Sequence, residues 1–297
     1  MAVGEVLSST LGDALNDMVI DARIVREYDG VWMRTCDVRS QQEGTGLAWT
    51  QYQLAQIAAQ DIGESQDNRN FQQLSGSLIQ GEPVMTQVIT KITDRTYRKI
   101  AKIVSSKFGT LAGAAMARKK DEDYIALFST FATTASPGTG NPLSHGHIAA
   151  AKQNATSNAT EPTMGEVFSV LHGFQIYDLQ LEQLAPLGTY AIPSGMTEQT
   201  FRQGFQGKVV GSNIFEDGNI SPTGVSSTNA RGATHSREGV IAINGMSIKT
   251  ERDRDIYFGG GADVVSMVDE YCFIENTSGG TQVFCYAHVS DTTAPAS

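Results

Sequence analysis

The sequence predicts an α+β fold, and three observations carry that assignment. Apolar residues recur at helical spacing between residues 10 and 26, 94 and 131, and 163 and 184. Strand-like runs with turn signals between them crowd residues 239–289. A long polar stretch, residues 43–87, carries only scattered apolar side chains and reads as a two-stranded excursion that needs a partner surface.

Length and composition support a folded body. At 297 residues with 40% apolar and 18% charged residues, the chain can bury a sizeable core. No run of eighteen apolar residues is present, so no membrane-spanning helix is expected. The start, "MAVGEVLSSTLGDALND", lacks the basic and apolar regions of an export signal. Three cysteines, Cys36, Cys272 and Cys285, form no CxxC pair and fit small buried thiols. Cys272 and Cys285 lie on neighbouring candidate strands and are the pair able to face each other.

In chain order, the first nine residues read as an arm. A helix follows, with Leu11, Leu15, Met18, Val19, Ala22 and Val25 on one face and Ser9 or Thr10 as cap. "GVWMRTCDV" (30–38) suits a strand. "VMTQVITKITD" (84–94) runs as a strand into a cap at Thr93 or Asp94. The helix it opens carries Ile100, Ile103, Val104, Leu111, Ala114 and Ala115, with Gly109 and Gly113 marking a break or a close contact. After "ARKKDED" a second stripe follows: Tyr124, Leu127, Phe128 and Phe131. Residues 133–162 read as a turn-rich connection. A helix is expected from Thr163, with Val167, Val170, Phe174, Tyr177, Leu181 and Leu184 inward, stopped by Pro186 and Gly188. A short strand (189–192) and a helix with Phe201 and Phe205, closed by Gly207, come next. Residues 216–239 read as a surface loop. The strands are then placed at 239–243, 246–250, 255–258, 263–268, 271–274 and 281–289, the last with half-buried alternation.

Charge is unevenly spread. The net charge is −10, yet residues 91–120 hold nine Lys/Arg against the single acid Asp94. That places a basic face on an acidic body. It lacks the aromatics or groove-fitting motif of specific nucleic-acid recognition, which leaves a solvated helix, one paired with acids of neighbouring chains, or weak, sequence-independent phosphate contact.

Catalytic patterns were sought and none emerges. There is no GxSxG, HExxH, P-loop lysine or complete GxGxxG. His145 and His147 form an HxH with no third ligand nearby in sequence, and His172, His235 and His288 stand singly. The carboxylate pairs Glu216/Asp217 and Asp253/Asp255 carry no mark of burial. "QGKVVGSNIFED" (206–217) has the glycines of a phosphate turn, but reads better as a corner where Gly211 permits a tight turn before Ile214 packs. No cofactor, metal or catalytic residue is expected.

The order of the pieces is informative. An arm and short helix, a long ribbon, "ITDRTYRKIA", a long helix ending "MARKKDEDYIALF", and the later "GKVVGSNIFED" follow one another. This order resembles the tailed-bacteriophage major capsid protein family, with the Hong Kong 97-type fold, over roughly residues 76–289. The resemblance implies a 1–43 N-terminal arm, short helix and strand, a 44–92 E-loop, and a 93–145 peripheral domain with spine helix. It further implies a 146–238 axial domain and 239–297 C-terminal strands completing both domains.

The implied function is a self-assembling structural protein, not an enzyme. Its copies would form hexameric and pentameric capsomers of an icosahedral shell around double-stranded DNA in the virion, assembled in the host cytoplasm. Separate scaffolding, cement and portal proteins are the implied partners. An encapsulin-type nanocompartment shell is the alternative the same fold allows. Under the resemblance Trp49, Phe71 and Leu74 are inter-subunit anchors, with packing on their own chain as the other reading. Arg95, Arg98, Lys99 and Lys102 form an inner basic face toward DNA or neighbouring acids. The loop 216–237 would lie near the capsomer centre. No isopeptide cross-link is expected.

Overall fold

The computed structural model describes residues 30–65, 67–69, 71–95, 108–159, 161–184, 208–209, 211–226, 228–257, 261–277 and 284–295. The expected helices at 10–26 and 197–205, the strand at 189–192 and the stops at Pro186, Gly188 and Gly207 lie outside them. The chain divides into two units. One comprises Met1–Glu27, Met85–Arg118 and Ser247–Asp269, and the other Tyr28–Val84, Lys119–Met246 and Glu270–Ser297.

The larger unit is organised by a five-stranded sheet. Its strands are β5 (Val167–Leu171), β6 (Lys208–Val209), β7 (Ser212–Glu216), β8 (Asn229–Ser236) and β11 (Cys285–Asp291), in the order β11-β8-β5-β7-β6. β5 pairs antiparallel with β8 and parallel with β7, setting Ser169 opposite Thr234 and Ile214. Every residue of β5 is buried, so "VFSVL" shows no alternation. That is the pattern of a strand covered on both faces. This corrects the helix expected from Thr163: the chain is strand at Val167–Leu171 and helical only from Gly173 to Leu184 (the fourth described helix, α4 below). β11 is buried from Cys285 to His288 and again at Ser290, which corrects its expected half-buried alternation. β8 occupies a stretch expected to be surface loop, and Ala230 and Ala233 on it are fully buried.

Four described helices accompany the strands: α1 (Trp32–Thr35), α2 (Phe108–Leu127), α3 (His145–Thr156) and α4 (Gly173–Leu184). α1 replaces the first part of the strand expected at 30–38; only Asp37–Ser40 (β1) is extended. Met116, Lys120 and Tyr124 are buried at four-residue spacing on α2. "ARKKDED" therefore lies inside one helix, and no break separates it from Tyr124. Gly113 is passed without a break, and neither Gly109 nor Gly113 shows a close contact among the described residues. α3 falls within the expected turn-rich connection. Ser144 and His147 form its capping box, which a search for Glu or Gln at the third helical position overlooks. α4 buries Gln175, Ile176 and Leu179, whereas Tyr177 and Leu181 of the expected inner face are exposed.

The main core gathers Val31 and Trp32, Tyr124, Phe128 and Phe131, and inward residues of the sheet such as Val170, Ala233 and Phe284. Tyr124 and Phe128 meet edge to face with centroids 4.9 Å apart. A second cluster seats Leu143 and Ile148 against Leu171, Ile176, Leu179 and Ile214.

The other sheet is ordered β1-β9-β10-β4, with β9 (Val240–Asp255), β10 (Ala262–Glu275) and β4 (Val84–Thr93). β9 and β10 each merge strands that the sequence reading kept apart, and "DIYF" ends in a bend beyond β9. β1 runs parallel to the start of β9, Asp37 opposite Ile241. Within the smaller unit the charges of "TERDRD" are answered internally: Lys91 pairs with Asp255, Arg252 with Asp263, and Arg254 with Asp94 at 2.7 Å. The three cysteines are free thiols, and Cys272 and Cys285 stand in different sheets.

Candidate assembly interface

The ribbon is a hairpin of β2 (Trp49–Leu54) and β3 (Gly76–Gly81), antiparallel, with Tyr52 opposite Leu78 and Gln53 opposite Ser77. Its exposed face carries large apolar side chains, and its covered face carries polar ones beside Trp49 and Ile79. Tyr52, Leu54 and Leu78 point to solvent, while Gln51, Gln53 and Ser77 lie on the covered side. On that side Gly81 packs beside Ile243, Cys272 and Ile274, and Gln53 Nε2 donates to Asn276 Oδ1 at 2.5 Å. Gln51 Oε1, Gln53 Oε1 and Ser77 Oγ are enclosed without a donor or acceptor among the described residues. Trp49 and Ile79 share the covered side and Thr50 and Gln80 the exposed one, but the outward Tyr52, Leu54 and Leu78 and the unanswered inward oxygens cost stability in an isolated chain.

The connection 55–75 extends this surface. It has no helix or strand among its described residues, and its ends are tied by Ala55 N–H donating to Ser75 C=O at 2.8 Å. Ile57, Ile62, Phe71 and Leu74 are all exposed, Phe71 at 89%. Of the three expected anchors, Trp49 is half-buried at the ribbon's base, whereas Phe71 and Leu74 project from its far end. Own-chain packing does not account for Phe71 among the described residues.

The basic stretch is only partly described. Arg95 is exposed; Arg98, Lys99 and Lys102 lie outside the described residues. Further along, Lys119 pairs with Asp123 on α2. Lys120 is buried, its ammonium 4.9 Å from the Tyr271 ring centroid and 5.6 Å from that of Trp32. These cations serve the chain's own packing.

The histidines are structural. His147 Nδ1 accepts from Ser144 N–H at 3.3 Å, and His145 binds Glu182 through both its N–H and its ring at 2.7 and 2.8 Å. No metal-binding group of three ligands occurs among the described residues. His235 and His288 are fully enclosed, and burial lowers both to about 4. His288 Nδ1 donates to Ala135 C=O at 2.5 Å, so its Nε2 accepts from Thr234 Oγ1 at 2.6 Å. Thr234 Oγ1 in turn meets Ser169 Oγ at 2.7 Å, and Ser169 meets Ser212 at 2.8 Å. This polar rung crosses four adjacent strands, β11, β8, β5 and β7. On the other side of β8, His235 takes the Tyr124 hydroxyl at 2.6 Å, and Thr35 donates to the same hydroxyl at 3.0 Å.

The glycine-rich corner is a hairpin turn. Gly211 has φ +80°, and an added Cβ would meet Lys152 Nζ. Val209 pairs with Ser212 across it, and Ile214 packs as expected. Asp217, where the chain leaves β7 for a loop, is fully buried within its own chain, its N–H on Leu171 C=O at 2.9 Å. A cleft of about 210 Å³ beside α2, lined by Ile125, Ser129, Ile220 and Arg231, is smaller than the ~300–1,000 Å³ of typical small-molecule sites.

No family model and no curated protein matches the chain. Solved structures do. A chain of the capsid of cyanophage Pam1 superposes with a TM-score of 0.69 at 10% identity, covering 92% of this chain and 95% of that one. The capsid of cyanophage P-SCSP1u gives 0.68 at 12% identity, with 93% of both chains covered. The acidic stable capsid of Helicobacter pylori bacteriophage KHP30 gives 0.67 at 11% identity, covering 98% of this chain and 100% of that one. The α+β architecture described above is therefore the fold of phage capsid chains.

Proposed function

We propose that the chain is the major capsid protein of a tailed bacteriophage, whose copies assemble into an icosahedral head shell enclosing double-stranded DNA. The observation that carries this reading is a fold shared with phage capsid chains over more than nine-tenths of their length and its own. The ribbon's exposed apolar side chains support it. A strip with Tyr52, Leu54, Phe71, Leu74 and Leu78 outward gains stability when a neighbouring copy covers it, and many such contacts sum in a closed shell. The role is structural, and repeated contact between copies supplies the energy. In this reading the ribbon is the E-loop, α2 continues the spine helix, and the five-stranded sheet forms the axial domain. Arg95, Arg98, Lys99 and Lys102 then face the packaged DNA or acids of adjacent chains, and scaffolding, cement and portal proteins complete the particle.

The test is electron microscopy and sedimentation of the purified full chain, alone and with residues 55–75 replaced by a short turn. Shells or capsomer rings from the parent chain, and a folded protein without shells from the shortened one, are expected. A monomer under every assembly condition overturns the reading. Shells from the shortened chain would overturn the placing of the ribbon across a neighbour. Particles retaining a protein cargo and no DNA when recovered from cells would favour an encapsulin-type shell.

A further inference from the structure

The site lies where the described chain begins, beside α2. Asp121 on α2 is fully buried, and both its oxygens take donors: Val31 N–H at 3.0 Å and Asn219 Nδ2 at 2.8 Å. Gly30 is pressed against the same carboxyl, and an added Cβ would stand 2.6 Å from Asp121 Oδ1. The backbone therefore needs glycine to reach it. Asp217 is also fully buried, and its Oδ1 accepts Asn219 N–H at 2.9 Å. Asn219 thus bridges the two acids and sets their carboxyls side by side, yet as an anion Asp217 Oδ2 has no donor.

Two carboxylates so placed repel each other, and the buried Oδ2 stays unanswered. One proton removes both faults. With Asp217 as the acid, its O–H donates to Asp121, and the pair carries a single charge that Val31 and Asn219 stabilise. A cation such as Ca²⁺ would need about six to eight oxygen ligands, and here Asn219 already turns donors toward both carboxyls. The proton fits where the metal does not.

We propose that Asp121 and Asp217 share one proton, and that this proton latches three segments together: residues 30–36, α2 and the turn 217–220. Loss of the proton in neutral-to-alkaline solution weakens the latch and releases residues 30–36 from α2. Burial, with the Asp121 charge adding to it, raises Asp217 to about 8. The surrounding titratable groups are Cys36 and Asp37 beyond α1, Tyr124 and Lys120 on α2, His235 and Arg237 at the end of β8, and Glu216 before Asp217. Burial holds Cys36 and Tyr124 neutral far into alkali and His235 neutral down to about 4, so these three keep their state between pH 6 and 8.

The direction follows from linkage. When the latch opens, Asp217 regains an ordinary carboxyl and releases its proton. Opening therefore becomes easier by up to about tenfold per pH unit between the ordinary carboxyl range and about 8, and levels off above it. Hydrogen–deuterium exchange of the full chain reads this directly at residues 30–36. After correction for intrinsic exchange, protection should fall up to about 100-fold from pH 6 to pH 8. Asp217→Asn, whose amide can donate to Asp121 at any pH, should hold protection constant over the same range. A flat profile in the parent chain, or an equally steep one in Asp217→Asn, overturns the proposal. Should that variant not fold, infrared difference spectra of the parent chain between pH 6 and 9 decide. Loss of one carboxylic-acid C=O band with gain of a carboxylate supports the shared proton, and no such band overturns it.

Discussion

The five-stranded sheet and the two-stranded ribbon use the same backbone geometry to opposite ends. In the sheet, β5 and β8 are buried along almost their whole length, and the hydroxyls and imidazoles they carry are paired with one another. In the ribbon, alternate residues are exposed, Tyr52, Leu54 and Leu78 among them beside Thr50 and Gln80, and enclosed Gln51, Gln53 and Ser77 oxygens go unanswered. The sheet is finished by its own chain. The ribbon leaves apolar side chains exposed and polar atoms unanswered, so in the proposed shell stability and assembly rest on different residues.

The largest test of that separation is in the core. Phe128 is fully buried against Tyr124, Phe131 and His235. Phe128→Ala should cost about 3–5 kcal/mol in denaturant unfolding. A loss below ~1 kcal/mol would mean that the sheet's inner face does not hold the fold.

Acid gives the next effect. His235 and His288 are held neutral by burial, near 4 against an ordinary 6.5, so the unfolded chain binds more protons than the folded one between those values. Their contribution is constant above about 6.5 and falls as pH drops toward 4, by about 3 kcal/mol for each histidine. Asp217 runs the other way, losing stability as pH rises toward about 8. Urea midpoints at pH 7, 6 and 5 for the parent chain and His288→Gln check this. The variant should show the shallower acid slope. The ribbon, residues 49–81, contains no histidine and is spared this term.

The smallest effect on stability should come from the ribbon tip. Phe71→Ser removes an almost fully exposed ring and should change unfolding by less than about 0.5 kcal/mol. The same change should raise the protein concentration at which shells appear. If it matched Phe128→Ala in unfolding, the contrast between the two regions would fail.

Much of this division could be read from sequence, and the failures have a common cause. The ribbon was legible because Trp49, Phe71 and Leu74 are too widely spaced in a Gln- and Ser-rich stretch to make a core. The corner at Gly211 was legible because a positive φ favours glycine. The sheet was not. β5 is covered on both faces and so lost the period of two, while Val167, Val170 and Phe174 happen to fall at helical spacing. β8, "NARGATHS", looked like loop because its polar residues are buried in pairs, and pairing depends on strands far away in the chain. His147 was weighed as a metal ligand when it caps a helix, since only the fold shows that Ser144 precedes that helix. Asp121 and Asp217 lie 96 positions apart, and nothing local announces that they meet.

The rung His288–Thr234–Ser169–Ser212 also answers a question the apolar residues leave open. A strand that is apolar on both faces can slip by one residue and still bury oily side chains, so hydrophobicity alone fixes its alignment weakly. A slip of β5 would move Ser169 to the opposite face and break its bonds to Thr234 and Ser212, at about 1–3 kcal/mol for each hydroxyl left unsatisfied. The rung behaves as a parity check on the sheet: it adds little when every strand is aligned and rejects the nearest wrong alignment. In the proposed shell, where every copy must present the same outline, rejecting that near miss matters more than the few hydrogen bonds themselves.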